Sequence, residues 1–105
     1  MRSEADEIKR HTIEVIKFLT STVDHNELLR FIPKFGEEDY EFLDAIEDPR
    51  EQQIALLNLT RKSSEDIHIY VGCPLQPDVD QINIALFGMM VYGEEIKAML
   101  YFEEE

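Results

Sequence analysis

The chain has 105 residues, and 23 Asp+Glu against 10 Lys+Arg leave a formal charge of −13 at pH 7. That imbalance argues against direct nucleic-acid binding, which needs clustered Lys and Arg to neutralise phosphates, and the length suits one domain. At 44% hydrophobic residues the chain is not a disordered acidic tail. No apolar run reaches the ~18 residues of a membrane span, and the polar start Met1-Arg2-Ser3-Glu4 is unlike a secretory signal. The single cysteine, Cys73, fits a reducing compartment, so the expected location is the cytoplasm.

Ser3 to Val23 reads as a helix capped by Ser3, with Ile8, Val15, Ile16, Leu19 and Val23 on one face of a 3.6-residue period. Asp24 caps a short second helix that Pro33 and Gly36 end. A third helix is predicted over Glu38 to Ile46. Asp48-Pro49-Arg50-Glu51 is the clearest local signal, an N-cap followed by proline at the first helical position. The helix it starts is predicted to run to about Arg61, before a turn at Ser63 to Asp66.

Beyond that turn the period changes to two. Ile67, Ile69 and Val71 alternate with His68 and Tyr70, which predicts a strand ended by Gly72-Cys73-Pro74. After a loop over Leu75 to Asp80, Ile82 to Tyr92 reads as a second strand, with Gly88 marking a candidate bulge. Gly93-Glu94-Glu95 then turns the chain into a third strand, Ile96 to Phe102, antiparallel to the second. The expectation is a single α+β domain. About four N-terminal helices (roughly 3–62) would pack on a C-terminal three-stranded antiparallel sheet (roughly 66–103).

Both faces of that sheet would be apolar, whereas helices on one side cover only one. Either the helices split to cover both, or Phe87, Met89, Val91, Met99 and Tyr101 form an exposed patch for a partner or for homodimerisation. A second candidate surface is acidic. Glu37, Glu38, Asp39, Glu41, Asp44, Glu47, Asp48 and Glu51 are offset only by Arg50. Carboxylates at helix starts are ordinary helix design. The functional alternative is steering toward a basic protein, as an immunity protein, antitoxin or nucleic-acid mimic would do.

Nothing in the sequence assembles a catalytic site. His68 and Cys73 would stand roughly 16 Å apart on an extended strand. His11, His25 and His68 lie in separate elements without metal-ligand spacing, and the four glycines form no phosphate loop. No cofactor, metal or catalytic residue is expected, and the chain reads as a non-enzyme.

Phe31-Ile32-Pro33-Lys34-Phe35, helices containing Leu43 and Leu56-Leu57, the segment Ile67 to Gly72 and the turn Val91-Tyr92-Gly93-Glu94 follow one another in this order. From Phe31 to about Leu100 this resembles the C-terminal, GAF-like regulatory region of heat-inducible transcription repressors. Cys73-Pro74 stands where that family has Glu-Asn, and Leu100-Tyr101-Phe102-Glu103 replaces its closing motif. No segment of this sequence is expected to form that family's winged-helix DNA reader. The resemblance implies a sensing or dimerising module, with any small ligand held between sheet and helices.

Overall fold

The computed structural model describes residues 3–72 and 75–103, with side chains through residue 100. They form α1 (Glu4–Thr22), α2 (His25–Leu29), α3 (Glu37–Asp44), α4 (Pro49–Val71), α5 (Val79–Val91) and α6 (Gly93–Glu103). Among the described residues there is no strand, so the α+β expectation is corrected to an all-α fold. Helix α5 lies between α1 and α4, α6 leans on α1 and α5, α3 packs on α4, and α2 on α1. The core gathers Val15, Leu19, Leu28, Ile67, Ile82, Ala85 and Leu86. No helix among the described residues is long and apolar enough to cross a membrane.

The expected helix starts at Ser3, Asp24 and Asp48 are present. Ser3 Oγ accepts the Asp6 amide at 3.2 Å, Asp24 Oδ1 that of Asn26 at 2.9 Å, and Asp48 Oδ1 that of Arg50 at 3.0 Å. Each satisfies an amide that has no intrahelical acceptor. Helix α3 starts one residue before the predicted span and ends two residues short of it.

Helix α4 does not stop at Arg61. It continues through the expected Ser63–Asp66 turn and the expected Ile67–Val71 strand, ending at Gly72, whose φ of 73° gives the left-handed cap that closes helices. Its inward stripe runs through buried Thr60, Ser64 and Ile67 to half-buried Val71, spaced four, three and four. Ile67 is 2% exposed and Ile69 76%, which fits two residues ~200° apart around a helix. The apparent alternation spanned three apolar residues, and the polar half of the stripe hid the helical period.

The expected hairpin is likewise helical. The second strand is α5 and the third is α6, joined at Tyr92-Gly93. Two apolar faces at period two describe equally a helix that is apolar on nearly every side, and such a helix is buried. Covered by α1 and α4, α5 buries Ile82, Asn83, Ala85, Leu86, Phe87 and Gly88. Gly88 is no bulge. A Cβ there would collide with the Thr12 side chain of α1 and meet Ile8 Cγ2 at 3.3 Å, so its small size sets the approach of the two helices.

Polar side chains fix the register of α4 against α5. The Asn83 Oδ1 atom accepts from Thr60 Oγ1 at 2.5 Å and Ser64 Oγ at 2.9 Å, while its Nδ2 donates to the Leu57 carbonyl at 3.0 Å. At the surface Arg61 pairs with Asp80 of α5 and with Glu65, and these hydrogen bonds raise its pKa above the ordinary arginine value. On the other side of α5, His11 Nε2 of α1 is 2.9 Å from the Gln81 carbonyl.

Candidate functional site: an acidic-rimmed cleft

The N-terminal turns of α1, the second half of α3, the first half of α4 and the end of α5 enclose an open cleft of about 500 Å³. Its apolar walls are Ala5, Ile8, Leu43, Leu56, Phe87 and Val91. Glu4, Tyr40, Asp44, Pro49, Gln52, Gln53 and Tyr92 complete its lining. The Gln52 Nε2 atom donates to the Leu43 carbonyl at 2.9 Å, which ties α3 to α4 and takes up that amide. None of the residues lining the cleft is Lys or Arg. Lys9, the nearest cation in sequence to that wall of α1, has its Nζ 5.2 Å from the Tyr92 ring centroid.

Of the acidic run Glu37–Glu51, Asp44 lines this cleft. Asp39 is half-buried and the other seven carboxylates are exposed. Asp39 Oδ2 accepts the Gly36 amide at 3.2 Å, and Asp48 caps α4. The described ion pairs join Arg30 to Glu27, Arg61 to Glu65 and Asp80, and Lys62 to Asp66, all elsewhere. Ordinary helix design accounts for Glu37, Glu38 and Asp39, which sit in the first turn of α3. It does not account for Glu41 and Asp44, which crowd the last turn, where the helix dipole disfavours negative charge and no basic residue offsets it.

The residues expected to share an outer sheet face are dispersed, because that face does not exist. Phe87 and Val91, one turn apart on α5, both line the cleft, Phe87 buried and Val91 46% exposed. Met89 points to the opposite side, into the core near Leu19, Leu28 and Ile67. Met99 is half-buried on α6, and the Tyr101 side chain lies outside the described residues. The structure therefore unites Phe87 and Val91 of one candidate set with Asp44 of the other. Glu4, Ala5, Ile8, Tyr40, Leu56 and Tyr92 were not anticipated.

Chemistry has little foothold elsewhere. Among the described residues, no three His, Cys, Asp or Glu side chains are grouped to hold a metal ion. His68 is half-buried in the last turn of α4, and Cys73 lies outside the described residues. A ligand pocket between sheet and helices, implied by the repressor resemblance, has no sheet to bound it. Comparison with family models, with curated proteins and with solved structures finds no match.

Proposed function

We propose that this chain is a non-enzymatic protein-interaction module that binds a basic protein partner through the α3–α4 acidic surface and the cleft it borders. The observation that carries this reading is the placement of Glu41 and Asp44. Carboxylates at the wrong end of a helix, with no ion pair given for them among the described residues and Asp44 lining an apolar cleft, weaken the fold locally and suit a positively charged visitor. A regulatory or inhibitory role follows, in which occupying the partner's basic surface is itself the action. A cytoplasmic location is part of this proposal, and the single cysteine fits it. Homodimerisation through a shared sheet face loses its basis with the sheet.

The test compares two variants of equal charge. Glu38→Gln/Glu41→Gln/Asp44→Asn removes three carboxylates from α3. Glu7→Gln/Glu14→Gln/Glu94→Gln removes three exposed ones from α1 and α6. Titrated with a lysine-rich polypeptide at low salt, the first variant is expected to bind much more weakly than the second, and both differences to shrink as screening shortens to ~8 Å at physiological ionic strength. Equal loss in the two variants would reduce the interaction to bulk charge and contradict the proposal.

A further inference from the structure

Resting on that reading, we infer that the cleft receives a lysine side chain of the basic partner, its methylene stem on the apolar walls and its ammonium among the polar lining groups. The lining supplies both halves of what such a side chain needs. Ala5, Ile8, Leu43, Leu56, Phe87 and Val91 give apolar surface for an aliphatic stem to cover. Glu4 and Asp44 bring two carboxylates, and neither Lys nor Arg is among the lining residues, so the charge there favours a cation. Gln53 is half-buried in the lining and forms no hydrogen bond among the described residues, which leaves its amide oxygen to accept from an ammonium. Tyr92 also lines the cleft, and its ring already has the Lys9 Nζ 5.2 Å from its centroid, an alkylammonium of the same kind. Glu4, Asp44 and Gln53 come from three helices, α1, α3 and α4. A compact ammonium on a flexible stem meets such separate acceptors, whereas the planar fork of arginine is matched to a single carboxylate. The Lys9 charge opposes the incoming ammonium, so its removal strengthens binding.

The test separates stem from charge. Two peptides of equal length are titrated into the full chain at low salt and slightly acidic pH, where the amines of both are charged. One alternates Gly and Lys. The other has 2,4-diaminobutyrate in place of each Lys, the same charge on a shorter stem. The lysine peptide is expected to bind roughly fivefold tighter, because its longer stem buries more methylene surface. Val91→Gln, at an exposed position of the cleft wall, should keep the helical circular dichroism and cancel that preference. Ile69→Gln, exposed and outside the cleft, should leave it intact. Lys9→Gln should tighten the lysine peptide more than Lys97→Gln, which removes an equal charge from an exposed position of α6. Equal affinity of the two peptides, or a lysine preference that survives in Val91→Gln, overturns the lysine anchor and leaves the electrostatic reading standing. A gain from Lys9→Gln no larger than that from Lys97→Gln overturns it as well. Failure of both peptides to bind overturns anchor and proposed function together.

Discussion

Gly88 of α5 and Thr12 of α1 meet with no room between them for a methyl group. A Cβ on Gly88 would overlap the Thr12 hydroxyl and stand 3.1 Å from Thr12 Cβ. That hydroxyl donates to the Ile8 carbonyl at 2.7 Å, so swinging it aside breaks a hydrogen bond. In an isolated helix Gly88→Ala would gain about 1 kcal/mol of helix propensity. Here overpacking should outweigh it, with a net loss of about 1–3 kcal/mol in urea unfolding. Adding Thr12→Ala should recover part of the loss, a coupling that a double-mutant cycle measures. A stabilised Gly88→Ala single variant would mean that the helices are farther apart than described.

Asn83 tests the α4–α5 register. In Asn83→Asp the residue can no longer donate to the Leu57 carbonyl while ionised, and a carboxylate takes a buried site. Burial disfavours the charged form, so the folded-state pKa of the new Asp rises above its unfolded value of ~3.9. The variant's deficit relative to the parent should therefore be least below that unfolded value and grow as pH rises through the folded one. Chemical denaturation of both proteins across pH 4–8 reads this directly. A pH-independent deficit would place residue 83 in contact with solvent.

Gly72 ends α4 with a φ of 73°, and a Cβ there would meet nothing within 4 Å. Gly72→Ala should cost about 1–2 kcal/mol through backbone strain alone. Gly72→Asn should cost less, since Asn tolerates this conformation better. Thermal unfolding of the two variants gives the ranking, and an unchanged Gly72→Ala would argue against the left-handed cap.

Stability and binding should move in opposite directions at the end of α3. Glu41→Gln/Asp44→Asn removes two charges that oppose the helix dipole, and each should add about 0.3–1 kcal/mol at low salt. The same variant should bind a lysine-rich probe less well. A loss of both together would mean that the carboxylates serve the fold rather than a partner.

The local helix signals were legible because they need few residues. Ser3, Asp24 and Asp48-Pro49 each declare a start through one side chain and one amide. One more such signal was present and unread. Asp78 and Gln81 form a reciprocal capping box, at 2.9 and 2.8 Å, just before the apolar run of α5, and it announces a helix where a strand was predicted. Alternation failed at Ile67–Val71 because Thr60 and Ser64 occupy core positions, where Asn83 from another helix and carbonyls of α4 itself meet their hydroxyls. The acidic half of the site could be read from its run of carboxylates. The apolar half could not, since Ala5 and Ile8 reach Phe87 and Val91 only once α1 lies along α5.

The most direct measurement is a backbone amide shift map of the isotopically labelled chain, titrated with the lysine-rich polypeptide. Shifts concentrated at Ala5, Ile8, Tyr40, Asp44, Leu56 and Val91, together with an unperturbed α2, are the expected result. Shifts scattered over all carboxylate-rich segments, or centred on the exposed Ile69 at the far end of α4, would contradict the cleft as the binding site.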